Sequence, residues 1–424
     1  MNVPQGERVA LVISSLDAGG AERVISTMAN HWAERGRDVS VITIESADRD
    51  FYALDPRVRR TGLGASGRSA SIRQAVANNV RRIRRLRAAI RDVHPDAVIS
   101  FLTSTNILAL IAGGLARIPV IVSERIDPTQ EPAPRFWSAL RRFVYPRALA
   151  VVVQTPEVQA WAEEFLPSER VRAIPNFVRV PPEASKDEQA ADMPRERRRV
   201  VAIGRLHRQK GFDTLIRAFA RCHAAEPEWS LTIVGEGDER SRLEALAADL
   251  GIAASVEMPG RVQNPFSVLR RADLFVLASR YEGFPNVLLE AMAVGTAVIA
   301  TDCRSGPARI VRHGVDGLLV PPDDVDAMAD AIASLMRDDD QRRALGARAV
   351  EVTERFSEDR VMSEWERLVA QATRGRRDRN NNRAQRGASS GTRSRADGSK
   401  RGSMSGVGPF AVDTAVELLD RTAQ

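Results

Sequence analysis

Only two of the 424 residues are cysteine, Cys222 and Cys303, and they stand in no metal-ligand spacing. That excludes a cysteine-held metal and fits a reducing, cytosolic compartment. The five histidines, His31, His94, His207, His223 and His313, show no paired spacing and read as ordinary surface or core residues. No apolar run approaches the roughly 20 residues a membrane-spanning helix needs. The opening residues 1–8 run into a short strand-like stretch, too short and wrongly flanked for a signal peptide. The G-x-G-x-x-G dinucleotide fingerprint, the P-loop lysine pattern and the G-x-S-x-G nucleophile elbow are all missing. Two D-x-D triplets match a metal pattern only literally. Asp48-Arg49-Asp50 lies in a connecting segment, and Asp324-Val325-Asp326 opens an amphipathic helix, where Asp serves as cap and dipole partner. No metal is expected.

What is present points to α/β domains. The chain is long enough for two or three of them, and its 43% apolar content is ordinary for a globular protein. Short apolar strands are predicted at 9–13, 39–44, 97–100, 120–123, 151–154, 200–204, 230–234, 274–278 and 298–301. Amphipathic helical stretches alternate with them, among them 21–34, 106–116, 156–165, 214–222 and 240–250. This alternation is the signature of βαβ units and parallel sheets covered by helices. The pattern breaks between 177 and 198, where Pro181-Pro182-Glu183-Ala184-Ser185-Lys186-Asp187-Glu188 is polar and proline-containing. The predicted division is a first domain over 1–178, a linker over 179–198, a second domain over 199–356, a helix over 357–373, and a tail over 374–424. A ligand cleft is expected between the halves.

The formal net charge of +7 is unevenly placed. Residues 374–402 hold ten Lys/Arg against Asp378 and Asp397, so that removing this surplus of eight leaves the remaining chain near −1. The tail lacks apolar spacing to about Gly408 and is expected to be disordered; residues 409–419 have the spacing of a short helix. A second basic block runs from Arg68 to Val93, with eight Arg opposed only by Asp92. Within it Ile72, Val76, Val80, Ile83, Leu86, Ile90 and Val93 form one apolar stripe, so a domain helix packing on a sheet is predicted. Its cationic face could also attract anionic lipid heads, each cation contributing roughly 1 kcal/mol near a charged surface. The rest is near neutral, which argues against a specific nucleic-acid-binding domain.

Four stations bear on phosphate or sugar binding. Gly19-Gly20 follows the first strand and opens a helix, where backbone N–H groups can approach an anion, although such turns often use Gly for steric reasons. Gly204-Arg205 to Lys210-Gly211 leaves a strand end with two cations that could meet one diphosphate. Gly235-Glu236-Gly237 follows the next strand. The last is Tyr281-Glu282-Gly283-Phe284-Pro285-Asn286-Val287-Leu288-Leu289-Glu290, a loop leading into an apolar helix. Pro285 suits the first turn of that helix and Gly295 its stop. Glu290 stands almost alone among apolar neighbours, which is costly unless something hydrogen-bonds it. The three stations of the second half all fall at carboxyl ends of predicted strands, where open α/β sheets bind ligands.

In this order the motifs resemble the retaining glycosyltransferases of glycosyltransferase family 4. The match runs from Gly19-Gly20-Ala21-Glu22-Arg23 and Asn176 through the E-x7-E pair Glu282 and Glu290 to His313-Gly314-Val315-Asp316-Gly317. The resemblance implies the GT-B fold, two Rossmann-like α/β domains facing across a cleft. It implies that Arg205 and Lys210 hold the diphosphate of a nucleotide sugar while the Gly19 and Gly20 amides close over it. Glu282 would meet the donor sugar and Glu290 the ribose hydroxyls, with Gly235, Gly283, Phe284, Pro285, Asn286 and Val287 completing the donor site. Transfer would proceed on one face of the sugar without a metal or other cofactor. Family members often carry a His in a first-domain loop; the comparable loop here, Val122-Ser123-Glu124-Arg125-Ile126-Asp127-Pro128, has none, and Glu124 and Arg125 are the candidates for that acceptor-side wall. The expected protein is a cytoplasmic enzyme, peripheral on the inner face of the membrane. It would use a UDP-sugar and a saccharide or lipid-linked acceptor in polysaccharide, lipopolysaccharide or glycolipid synthesis. A GT-B-fold epimerase and a non-catalytic sugar-nucleotide or RNA-binding scaffold are the alternatives.

Overall fold

The computed structural model describes residues 7–48, 50–67, 70–180 and 198–391. The predicted linker and the segment 409–419 lie essentially outside these residues. Two wholly parallel sheets are present. The first comprises β1 (Arg8–Ile13), β2 (Asp38–Thr43), β3 (Arg59–Gly62), β4 (Ala97–Phe101), β5 (Val120–Ser123), β6 (Ala150–Val153) and β7 (Val171–Ala173), in the order β3-β2-β1-β4-β5-β6-β7. The second comprises β8 (Arg198–Ile203), β9 (Trp229–Val234), β10 (Val256–Gly260), β11 (Leu274–Leu277), β12 (Ala297–Thr301) and β13 (Leu318–Val320), in the order β10-β9-β8-β11-β12-β13. In each sheet the winding reverses beside the first strand, between β1 and β4 and between β8 and β11. Such switch points open a crevice at the carboxyl ends of the strands.

The central strands form because they are apolar on both faces and lie between helices. Val9 to Ile13 of β1 and all five residues of β4 are buried. One face of the first sheet packs Ile83, Leu86 and Ile90 of the helix Ile72–Val93 together with the helix Thr103–Ala116. Only the carboxyl half of the apolar stripe is therefore fully used: Val76 and Val80 are half-buried, and the Ile72 side chain lies outside the described residues. The other face takes the helix Gly20–Glu34.

The chain crosses between the sheets twice at one place. The Val178 N–H donates to the Phe356 carbonyl at 3.0 Å, and Val178 bridges Ser357. The helix Glu358–Gly391 then returns to the first sheet and buries Val361, Met362, Trp365, Leu368 and Val369 beside Phe101. This helix runs past Arg374. Arg376 pairs with Asp96 at 3.0 Å, and the helix continues to Gly391.

Candidate active site

Two loops at the carboxyl edge of the second sheet build the floor of the cleft. After β8, Gly204 and Arg205 lead to a 3₁₀ turn at Arg208–Lys210 and then to the helix Phe212–His223. After β11, residues 278–285 lie on that turn. Gln209 Nε2 donates to the Tyr281 carbonyl at 2.9 Å, and the Arg280 N–H donates to the Gln209 carbonyl at 2.8 Å. Arg280 pairs with Asp213 and Asp323. The loop so held carries Glu282, which is 6% exposed. Its Oε1 accepts from Lys210 Nζ at 2.6 Å and from Ser279 Oγ at 2.6 Å, while Ser305 Oγ donates to the Glu282 carbonyl at 2.7 Å. Two predicted donor residues, from different loops, thus meet directly. The part played by Gly235 is steric, because at φ +150° its Cα lies on the Gly204 carbonyl, where a Cβ would collide.

The first domain closes over this floor. Asn176 Nδ2 donates to the Phe284 carbonyl at 3.0 Å and to Asn286 Oδ1 at 2.5 Å, and Asn286 Nδ2 donates to the Gly20 carbonyl at 3.0 Å. Gln154 and Arg125 both donate to Asn176 Oδ1. Arg125 is buried over the Phe101 ring, 4.3 Å from its centroid, and burial lowers its guanidinium to about 9. Arg23 of the first domain reaches Glu290 of the second at 2.7 Å. Glu22 folds back over Gly19, and burial raises its pKa despite the charge of Arg205.

The helix after the loop spans Asn286–Ala293, so Pro285 is its cap rather than a first-turn residue. Its φ of −72° still sets the entry. Glu290 is buried, as its apolar neighbours required, and burial raises its pKa against the pull of Arg23. Arg205 is exposed at the cleft. Glu124 is corrected as an open acceptor-side wall. Its oxygens accept from Thr103 at 2.8 Å and Tyr145 at 2.5 Å, with Arg141 at 3.6 Å, all within the first domain. It anchors the loop that carries Arg125. Asp324 caps its helix by accepting from the Ala327 N–H at 2.9 Å. Ser279, Ser305 and Gln154 were missed, because a lone Ser or Gln carries no spacing signal.

Gly283 offers a direct test of the closed arrangement. A Cβ there would stand 2.5 Å from the Arg125 carbonyl and 2.7 Å from Gln154 Oε1, both across the seam, whereas its φ is not in the left-handed region. Gly283→Ala is therefore expected to leave each domain folded, with an unchanged circular dichroism spectrum, and to cut turnover about 100-fold by displacing the loop that carries Glu282 by around 1 Å. Turnover within about twofold of wild type would show that closure at this seam is not needed.

Comparison with known proteins agrees with this geometry. Residues 184–352 match the family described as glycosyl transferases group 1, and residues 19–176 match a glycosyl transferase 4-like domain. The chain is 29% identical over 366 residues to a Campylobacter jejuni α-1,4-N-acetyl-D-galactosaminyltransferase named for a diphospho-undecaprenol-linked saccharide, covering 86% of this chain and 98% of that one. It is 32% identical over 272 residues to the phosphatidyl-myo-inositol mannosyltransferase of Mycolicibacterium smegmatis, covering 63% and 67% respectively. It is also 32% identical over 391 residues to an exopolysaccharide phosphotransferase of Streptomyces coelicolor, but spans only 40% of that protein's length. Among solved structures, sucrose-phosphate synthase from Thermosynechococcus elongatus superposes with a TM-score of 0.71 at 23% identity, over 89% of this chain and 100% of that one. Anabaena HepE, solved with UDP and glucose, gives 0.69 at 20% identity over 86% and 100%. The chain belongs to the GT-B glycosyltransferases of the family 4 type. It is a glycosyltransferase, and the epimerase and scaffold alternatives are not favoured.

Proposed function

We propose that the protein transfers a sugar, with retention, from a UDP-sugar to a saccharide or lipid-linked saccharide in polysaccharide, lipopolysaccharide or glycolipid synthesis. The observation that carries this reading is the Lys210–Glu282 contact at 2.6 Å, in the loops that follow β8 and β11. The arrangement offers cations to a diphosphate and a carboxylate to the sugar attached to it. As the bond from the anomeric carbon to the phosphate oxygen breaks, Lys210 and Arg205 stabilise the charge left on the diphosphate. The acceptor hydroxyl oxygen forms the new bond on the same face, and its proton passes to a departing phosphate oxygen. With these two cations present the mechanism needs no metal.

Uridine and a lipid-linked acceptor are supported by the relatives. HepE was solved with UDP, and relatives are named for undecaprenol-linked and phosphatidylinositol substrates. No helix among the described residues is long and apolar enough to cross a membrane. A peripheral attachment, on the cytoplasmic face, is supported by the helix Ile72–Val93, where Arg73, Arg81, Arg84 and Arg85 surround a shallow groove floored by Val76, Ala77 and Val80. Part of its charge is structural, since Arg82 and Arg85 donate to the carbonyls of Ala65 and Leu63 at 2.9 Å each. The test is a panel of nucleotide sugars, with slow donor hydrolysis measured in EDTA and the product anomer read by NMR. Hydrolysis of a UDP-sugar with retention is expected. An inverted product, dependence on added metal, or preference for another nucleotide would overturn the corresponding part.

A further inference from the structure

The contact between Arg23 and Glu290 is an ion pair between domains, at a carboxylate only half satisfied. Arg23 Nη1 lies 2.7 Å from Glu290 Oε1, whereas Glu290 Oε2 is buried with no hydrogen-bond partner among the described residues. The surroundings are largely apolar, with Leu288, Leu289 and Phe266 buried and the Arg23 guanidinium 5.7 Å from the Phe266 ring centroid; the nearby Tyr52 phenol, its pKa raised by burial, feels both charges, Arg23 drawing it down and Glu290 pushing it up. A buried acceptor oxygen without a donor is costly, so it marks a place where a ligand hydroxyl is missing. We infer that Arg23 is the positioning residue for Glu290, holding one carboxylate oxygen so that the other is presented to a ribose hydroxyl of the donor. This rests on the donor site proposed above and assigns part of its recognition to the opposite domain.

Placement supports the assignment. The Arg23 N–H donates to the Gly19 carbonyl at 3.0 Å, so Arg23 sits one turn beyond the glycines proposed to close over the diphosphate. One helical turn thus offers amides toward the phosphates and a guanidinium to the carboxylate that grips the ribose. Opening the cleft withdraws both together. Nucleotide affinity and domain closure are therefore coupled through Arg23, and by linkage each strengthens the other. Arg suits this position because it stays charged, and its contact with Oε1 alone leaves Oε2 free.

The test compares UDP with 2′,3′-dideoxy-UDP by calorimetry on the full chain, with the ADP and GDP pairs run alongside. Wild type should prefer the ribonucleotide by about tenfold, the equivalent of about 1.4 kcal/mol. Arg23→Met should reduce that preference to about twofold or less, and Arg23→Lys should restore most of it. With the donor sugar, Arg23→Met should raise KM about tenfold and change kcat less than threefold, since the nucleoside is held alike before and during transfer. A purely structural role would lower both nucleotides' affinities together and leave the preference intact. If Glu290→Gln abolishes the preference and Arg23→Met retains it, the role of Arg23 is overturned while the donor site stands. If wild type shows no preference with any base, both fall.

Discussion

Glu282→Gln is expected to lower kcat about 1,000-fold while binding UDP as tightly as wild type or more tightly. The size is that of removing one preorganised group from a charge-developing site, roughly 3–4 kcal/mol. The substitution keeps the shape and an acceptor oxygen, so the Ser279 hydroxyl retains its partner. What it removes is the charge facing Lys210 Nζ at 2.6 Å. At the proposed diphosphate site Glu282 competes for that ammonium, so its neutralisation frees Lys210 for UDP. The same change removes the carboxylate proposed to meet the donor sugar, and transfer slows. Calorimetry with UDP and single-turnover transfer separate the two effects. A variant that loses UDP affinity and turnover equally would make Glu282 a scaffold for its loop, and near-normal turnover would remove its assigned role.

Most of the fold was readable in the chain because its central strands are buried on both faces. The runs at 9–13, 97–100 and 274–278 are continuous and apolar, and they became β1, β4 and β11. The four strands that escaped, β3, β7, β10 and β13, are the edges of the two sheets. An edge strand has one neighbour and a partly wet face, so Arg59–Gly62 holds only exposed and half-buried residues and Val256–Gly260 alternates them up to a buried Gly260, with no continuous apolar run. The site divides in the same way. Glycines at strand ends and the two carboxylates are visible because each violates its local pattern. The cross-domain partners are not: the contacts Asn176–Asn286 and Arg23–Glu290 link residues 110 and 267 positions apart. Nothing at either position alone announces the other. Glu124 shows the converse error, a charged residue beside the expected wall whose oxygens turn out to be spent on Thr103 and Tyr145.

Lys210→Met should be the most damaging single change at the cleft, lowering kcat/KM by 1,000-fold or more, and its cause can be separated from simple loss of a cation. Lys210 is half-buried, with 19% of its side chain exposed, and it is the ammonium that neutralises Glu282. Removing it takes a positive charge from the proposed diphosphate site and also leaves the Glu282 charge uncompensated beside it. Two negative groups close together in a partly dry cleft repel by several kcal/mol at an effective dielectric near 20. Arg205→Ala removes a cation that is exposed, so its loss should cost less, about 100-fold. The double variant Lys210→Met/Glu282→Gln then discriminates. If repulsion from Glu282 contributes, it will bind UDP more tightly than Lys210→Met alone, and the thermodynamic cycle will show a coupling of 1 kcal/mol or more. If the double variant binds no better, Lys210 acts on the diphosphate independently of Glu282. UDP affinity unchanged in both Lys210→Met and Arg205→Ala would count against a diphosphate site at this edge of the sheet, because those two side chains are the cations assigned to it.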